Sequence, residues 1–298
     1  KGCVAMLALP ALPLTRPSDT EAGSTELISP RGRRADGRTA SQLRPLKLRT
    51  GVVSSASGSA MLELAHTKIL CSIFGPQPNE GREYAEQGQL DCTVRFASFA
   101  RRGTRTSRAG GSGGSAEERT LSLDLASALS PSVQLQLLPK SIIGVHVLVM
   151  EDDGGVLPAA ISCASLALAD AGISLYGMVA ACSCVVLGEH VVLDSSATER
   201  SGGSCAISAA YIPSLDQLTL LRHEGTVPFV RAVEGMQLAL EGSSLLHEQM
   251  AATLRHAAKS REPHMDVVGN ASSEVETGNA AAGQRKRSRA GDNPSAMS

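Results

Sequence analysis

Four arginines, Arg101, Arg102, Arg105 and Arg108, stand close together and precede the glycine-rich run 110–114. Guanidinium groups at this density can bind phosphates without reading base sequence. The glycine-rich run has no following Lys-Ser or Lys-Thr, so it is not a phosphate-binding P-loop. The residues alone therefore leave two readings open: a phosphate-binding basic loop, or a solvated flexible linker.

Three other groups of residues suggest catalysis, and two of them lack a member that the chemistry requires. His247-Glu248 would need a second histidine one helical turn later to bind zinc, and position 251 is alanine. The run 202–206 resembles a nucleophile elbow without its final glycine, so a simple turn is expected. The acidic run 151–153 could hold a divalent cation, although a solvated turn is the more usual role of such residues.

Composition excludes two kinds of nucleic-acid-binding protein. The formal net charge of -1 excludes a protein that coats nucleic acid through its overall charge. Aromatic residues make up 2% of the chain, which argues against RNA binding mainly by base stacking. A local basic patch remains compatible with both facts.

The seven cysteines include no Cys-x-x-Cys pair and lie mostly in apolar runs, which predicts buried, reduced thiols.

The apolar pattern predicts the elements that must position these residues. Alternating or β-branched runs predict strands, and i, i+3, i+4 spacing predicts helices. The predicted strands are 52–59, 60–63, 68–74 (ended by Gly75-Pro76), 89–96, 142–150, 179–187, 191–193, 205–212 and 217–221. The predicted helices are 117–129, 159–171 with Gly172 as its cap, and 227–258 with a candidate kink at Gly242.

This order of elements predicts one mixed α+β domain over residues 34–259, with mixed sheets packed against helices. Residues 1–33 and 260–298 lack periodicity and are interpreted as a disordered extension and a disordered tail. The apolar run 3–14 has the length of a signal-peptide core, but two prolines interrupt it, which favours the extension. The basic run 285–289 is either a nuclear import signal or a solubilising tail.

An ordered set of short motifs resembles the RNase PH-like proteins across residues 34–258. The motifs are Arg34-Ala35-Asp36-Gly37-Arg38, Leu43-Arg44-Pro45, Gly58-Ser59-Ala60, Thr67-Lys68, Gly75-Pro76, Asp153-Gly154-Gly155 and the run 166–172. Within this family, residues 48–54 and 161–165 are most similar to the exosome ring subunit of the component-six type, particularly in plants and algae. The resemblance implies an RNase PH fold and a place in a six-subunit ring.

The resemblance also implies where an active member binds phosphate, and this sequence departs from the pattern there. Active members degrade RNA from the 3′ end with phosphate as nucleophile, and they carry Ser/Thr-Arg after the Asp-Gly-Gly turn. Here those positions are Val156 and Leu157. Neither side chain can donate a hydrogen bond to phosphate.

A second departure falls at the metal site that the resemblance implies. Asp194 and Glu199 match the acidic pattern of active members, whereas Arg200 and Ala206 stand where two further acidic residues belong. An arginine at a ligand position repels the cation that the site would bind. We therefore predict no catalytic residue, no metal and no cofactor.

The resemblance thus predicts a non-catalytic structural subunit of the RNA exosome that forms and lines the RNA channel. Its implied partners are other RNase PH-like ring subunits, RNA-binding cap subunits, a hydrolytic nuclease and RNA, with no membrane. The implied location is the nucleus and nucleolus, and also the cytoplasm. Arg101 and Arg102 fall where related subunits carry channel-facing arginines, so they are stronger RNA-binding candidates than Arg105 and Arg108.

Two alternative functions remain open from the sequence. The first is an active phosphate-dependent 3′-to-5′ exoribonuclease, which would release nucleoside diphosphates. The second is a stand-alone RNA-binding protein that reuses the fold, which would bind RNA with steep salt dependence and have no stable partners.

Overall fold

The computed structural model describes residues 33–78, 87–100 and 115–261. Nine strands and four α-helices are described in these ranges: β1 (Leu46–Thr50), β2 (Gly58–Leu64), β3 (Thr67–Pro78), β4 (Gln89–Phe96), α1 (Ala116–Leu129), β5 (Ser141–Glu151), α2 (Val156–Asp170), β6 (Ala180–Leu187), β7 (His190–Leu193), α3 (Ala197–Gly202), β8 (Cys205–Ile212), β9 (Gln217–Gly225) and α4 (Phe229–Arg261). The described residues from 33 to 254 belong to one compact unit, and helix α4 ends in the described residues 255–261 of a second unit.

The strands form two sheets. Sheet one has the order β1-β2-β3-β5-β4, in which β4 runs parallel to β5 and the other pairs are antiparallel. Sheet two has the order β7-β6-β8-β9 and is antiparallel throughout. The mixed α+β class expected from the sequence is confirmed.

Helix α2 packs against strands of both sheets and forms the centre of the core. Its residues from Val156 to Leu168 are all buried, including Ile161, Leu166 and Leu168 at 1% exposure or less. Burying a side chain of this size completely contributes about 1.5–3 kcal/mol. Alanine, serine and cysteine at the intervening positions keep the helix thin enough for both sheets to approach it.

Helix α4 lies close to sheet two because two of its inward positions are glycines. A Cβ atom at Gly235 would lie 3.0 Å from the Cys184 sulfur, and one at Gly242 would lie 2.9 Å from Leu193 Cδ1. The helix is continuous through Gly242, so this glycine has a packing role. No described helix is both long and apolar enough to cross a membrane.

Most predicted elements are confirmed, but the first strand is wrong. The predicted strand 52–59 is mainly a turn, and the preceding strand is β1, in which the leucines alternate with Lys47 and Arg49. Gly51 adopts φ +67° and donates its N–H to Ser59 O at 2.9 Å, which starts the turn after β1. The isolated Val52-Val53 pair resembled a strand, although Val52 is 44% exposed.

Other elements also differ from expectation. Strand β3 continues through the cis Gly75-Pro76 bond to Pro78, with a register shift between Phe74 and Gln77. Helix α2 begins three residues earlier than predicted, at Val156. The six-residue helix α3 was not predicted, because its polar sequence has no apolar periodicity.

Six cysteines lie in the described ranges and all are free thiols. Five are buried and Cys92 is half-buried. Burial raises the pKa of the Cys92 and Cys163 thiols to about 12. The described cysteines are therefore packing residues in protonated form, as expected from their apolar surroundings.

The contact between β2 and the end of α2 gives a first prediction. A Cβ atom at Gly58 would lie 2.3 Å from Ala171 N and 2.6 Å from Ala167 O, and backbone atoms cannot move aside cheaply. We expect Gly58→Ala to lower the free energy of unfolding by about 3 kcal/mol, measured by urea denaturation. Gly144→Ala is the control, because its nearest atom belongs to the exposed His146 side chain, at 3.2 Å. Equal stability of the two variants would contradict this packing.

Candidate functional site

A cleft of about 1430 Å³ lies where the end of β5 meets the start of α2. The start of α3, strands β8 and β9, and the first turns of α1 contribute its other walls. Apolar side chains line part of it: Phe99, Leu121, Met150, Val156 and Leu157. The position of this cleft at a helix N-terminus, with charged residues on its walls, makes it the candidate active site of the fold.

The turn that leads into α2 requires two glycines. Gly154 and Gly155 have φ values of +89° and +69°, and Gly155 is the residue that caps the helix. A Cβ atom at Gly154 would lie 2.9 Å from Ala197 N, so a larger residue would displace the start of α3. The two glycines therefore let the first turn of α2 reach the cleft.

The first turn of α2 presents apolar side chains to the cleft. Val156 and Leu157 both line it and are 8% and 7% exposed. No side chain caps this end of the helix. A phosphate placed here would find backbone N–H groups but no hydroxyl or guanidinium group from these two residues.

Arg200 belongs to a chain of ion pairs along the cleft wall. Its Nη2 atom lies 2.6 Å from Glu224 Oε2, and Arg222 Nε lies 2.8 Å from Glu224 Oε1. Arg222 also pairs with Asp124 on α1. The guanidinium of Arg200 is thus held in the cleft by a carboxylate on β9, where its charge disfavours a bound cation.

Ala206 lies on β8, directly opposite Glu224 in the strand register. Its methyl group packs against a small apolar cluster that contains Val185 and Val192. Ala206 therefore supplies packing, and a methyl group offers no ligand to a metal.

Asp194 and Glu199, which match the acidic pattern, are buried under arginines. Arg34 donates from Nε to Glu199 Oε1 at 2.7 Å and from Nη2 to Oε2 at 2.5 Å. Arg44 donates from Nε to Asp194 Oδ2 at 3.0 Å and from Nη2 to Oδ1 at 2.7 Å. The four side chains are at most 5% exposed, so both carboxylates are already occupied by charge-assisted bidentate bonds.

The charge state of Glu199 follows from these contacts. Burial by itself would raise the pKa of the Glu199 carboxyl, but hydrogen bonds from Arg34 and Ser196 lower it below its ordinary value. Burial likewise disfavours the charged form of Arg44, and the hydrogen bond with Asp194 raises the pKa of its guanidinium. The contacts therefore favour the ionised forms of the Glu199 carboxyl and the Arg44 guanidinium.

The remaining acidic run is a turn, as the sequence indicated. Asp152 Oδ1 accepts a hydrogen bond from Gly154 N at 3.0 Å, and Lys68 Nζ lies 2.9 Å from Glu151 Oε2. Across the described residues, no three His, Cys, Asp or Glu side chains are grouped so that they could hold a metal ion. The run 202–206 ends α3 and enters β8, so it is not a nucleophile elbow.

The predicted RNA-binding residues follow the cleft-lining residues Phe99 and Ala100 in the sequence. Arg101, Arg102, Arg105 and Arg108 lie outside the described residues, as do most residues of the two predicted tails. Phe99 and Ala100, immediately before them, line the cleft.

Sequence reasoning missed the buried arginine pairs. Arg34 and Arg44 belong to two of the short family motifs, and their carboxylate partners lie about 150 residues or more away in the chain. One local signal was available: Ser196 and Glu199 form a capping box at the start of α3.

Comparisons with known proteins agree with this geometry. The model described as "3' exoribonuclease family, domain 1" matches residues 42–174. An Arabidopsis thaliana protein, "Exosome complex component RRP41-like", is 36% identical over 230 residues, which is 77% of this chain and 87% of that protein. The human "Exosome complex component MTR3" is 34% identical over 241 residues, which is 75% of this chain and 87% of that protein.

A solved structure shares the fold. The crystal structure of rice (Oryza sativa) Rrp46 superposes with a TM-score of 0.65 at 25% identity. The match covers 74% of this chain and all of the rice chain.

The buried pair between Arg34 and Glu199 gives a second prediction. Arg34→Met leaves the Glu199 carboxylate buried without its cation, so we expect the free energy of unfolding to fall by about 3–5 kcal/mol at neutral pH. Arg231→Met is the matched control, because Arg231 pairs with Glu234 at 39% and 46% exposure. It should change stability by less than about 1 kcal/mol. Urea denaturation followed by circular dichroism measures the free energy of unfolding of both variants. Similar decreases in the two variants would contradict the prediction.

Proposed function

Because this chain belongs to the RNase PH (3′ exoribonuclease) family, we propose that it is a non-catalytic structural subunit of the RNA exosome ring. Its role is to build and line the RNA channel, and so to support 3′-to-5′ RNA processing and degradation by other subunits. The names of its relatives, which are exosome components, support the assignment to this assembly.

One observation carries the non-catalytic part of the proposal. Arg200 stands in the cleft, 2.6 Å from Glu224, at a position where active members of the family carry an acidic residue. Phosphorolysis needs a cation to stabilise charge on the transferring phosphate, and this guanidinium opposes its binding. Val156 and Leu157, at the start of α2, offer no side-chain donor to the attacking phosphate.

The partners follow from the ring assignment. We propose that other RNase PH-like subunits flank this chain, that RNA-binding cap subunits sit on one face of the ring, and that a hydrolytic nuclease sits on the other. The component-six type of subunit remains our prediction for its place in the ring. We propose the nucleus, the nucleolus and the cytoplasm as its locations.

Channel contacts are proposed for the arginines that follow β4. Arg101 and Arg102 come directly after Ala100, whose carbonyl accepts a 3.0 Å hydrogen bond from Asp152 N. This bond fixes the chain next to the first of the two arginines. Arg105 and Arg108 follow later in the sequence and are weaker candidates.

The third prediction tests assembly and catalysis together. The tagged chain, purified from its own cells at moderate salt, should retain the other ring and cap subunits in near-equal amounts, as identified by mass spectrometry. The isolated chain, given single-stranded RNA and inorganic phosphate, should release no nucleoside diphosphates, because the cleft lacks the donors and ligands described above. Recovery of the chain alone would refute the ring role, and phosphate-dependent release of nucleoside diphosphates would refute the non-catalytic role.

The fourth prediction concerns RNA binding by the assembled ring. Arg101→Ala with Arg102→Ala removes two proposed phosphate contacts, so the slope of log affinity against log salt should decrease by about 1.4 for single-stranded RNA. Filter binding across a salt series measures this slope. Arg105→Ala with Arg108→Ala is the matched control and should change the slope less. An unchanged slope in the first variant would show that Arg101 and Arg102 do not contact RNA phosphates.

A further inference from the structure

The outer face of sheet one carries side chains that the core leaves partly exposed. Alternate residues of the strands point inward: Leu62, Ile69 and Val147 are at most 2% exposed and belong to the core cluster that α1 and α2 also enter. The residues between them point to the opposite side of the sheet, because successive side chains of a strand alternate. Most of these outward residues are half-buried or exposed.

One row of outward side chains crosses the sheet from edge to edge. The strand registers place five residues opposite one another in spatial order: Arg49 on β1, Met61 on β2, Leu70 on β3, Leu148 on β5 and Arg95 on β4. We call these five residues the outer row. Three apolar side chains thus lie between two arginines, whose Cα atoms are about 19 Å apart at the usual strand spacing.

The two arginines of the outer row are available to an anionic partner. Both are exposed, and among the residues that the structure describes no ion pair involves either of them. Between them, Leu148 is 39% exposed, and Met61 and Leu70 are half-buried. The row therefore offers two cations separated by apolar surface.

The rows on either side of the outer row are polar. On one side the charges alternate in sign across the strands, in the order Lys47, Glu63, Lys68 and Glu151. On the other side lie Ser72, His146 and Thr93. The apolar stripe is therefore a single side chain wide, which suits one extended chain better than the broad surface of a folded domain.

The charges of this face favour a peptide over RNA. Single-stranded RNA carries a phosphate at every nucleotide, so its backbone would lie against the apolar centre of the row and beside two carboxylates, Glu63 and Glu151. A peptide can instead place anionic groups only where the two arginines lie.

We propose that the outer row binds an extended acidic segment of a partner protein. This segment has two carboxylates six positions apart, because six residues of extended chain span about 20 Å. The side chains at the alternate positions between the carboxylates are apolar and pack on Met61, Leu70 and Leu148. The inference goes beyond the proposed function and does not depend on it.

The test measures binding of a labelled peptide to the full-length chain. The probe is fluorescein-labelled Glu-Ser-Leu-Ser-Leu-Ser-Glu, whose outward pattern matches the row, and a second peptide has lysine at both ends. Arg49→Glu with Arg95→Glu reverses the two charges of the row. Arg255→Glu with Lys259→Glu is the matched control, since it makes the same change of net charge at two exposed positions of α4. Thermal unfolding verifies that each variant is folded.

The expected result is a charge-dependent exchange of ligands. Wild-type chain should bind the acidic peptide saturably within a range of up to about 1 mM, measured by fluorescence polarisation. The variant with reversed arginines should bind it about tenfold more weakly or worse, and should bind the lysine-ended peptide instead. The control variant should behave as wild type. Failure of wild-type chain to bind the acidic peptide, or equal binding by the reversed variant, would overturn the inference and leave the ring assignment intact.

A second measurement identifies the occupant in cells. A photo-crosslinking amino acid in place of Leu148 in the tagged full-length chain should yield a crosslink to a protein segment with two acidic residues six positions apart. A crosslink to RNA, to an RNase PH-like ring subunit or to a second copy of this chain would overturn the proposal.

Discussion

Two buried arginine–carboxylate pairs hold the site together. Arg44 donates to Asp194 and also to Thr67 Oγ1 and the carbonyl oxygens of Asp153 and Gly154. One guanidinium therefore joins the start of β3, the turn before α2 and the segment after β7. Arg34 adds the start of α3 through Glu199. Because a buried charge without its partner is costly, these contacts permit little variation in how the elements meet.

The same pairs limit the chemistry of the cleft. The carboxylate oxygens of Asp194 and Glu199 accept hydrogen bonds from arginines, and both side chains are buried outside the cleft lining. The side chains that line the cleft include Arg200 with its partner Glu224, and the apolar start of α2. This arrangement supports the proposed non-catalytic role, because neither the guanidinium nor the apolar side chains would bind a cation.

Most of the fold could be predicted from the sequence, because the long elements have clear periodicity. The buried helix α2 and the strand β4 are examples, and both were found within a few residues. Strand β1 was missed because it is short and three of its five residues are charged or polar, so the adjacent valines gave the stronger signal.

The candidate site could be predicted only in part. Family resemblance located Val156, Leu157 and Arg200, since their positions follow recognisable motifs. The partner of Arg200 could not be found, because Glu224 is 24 residues away on a strand whose pairing depends on the whole sheet. Long-range ion pairs leave no periodic signal in a single sequence.

The pair of Arg200 and Glu224 constrains which substitutions either position tolerates. With Arg200 in place, Glu224 lies beside a cation and is satisfied by it. Reversal of position 200 alone to an acidic residue would place two carboxylates side by side, and Arg222 would be their shared counter-ion. An acidic residue at position 200 is therefore unfavourable unless position 224 changes with it. The ion pair therefore makes the residue tolerated at position 200 depend on the residue at position 224.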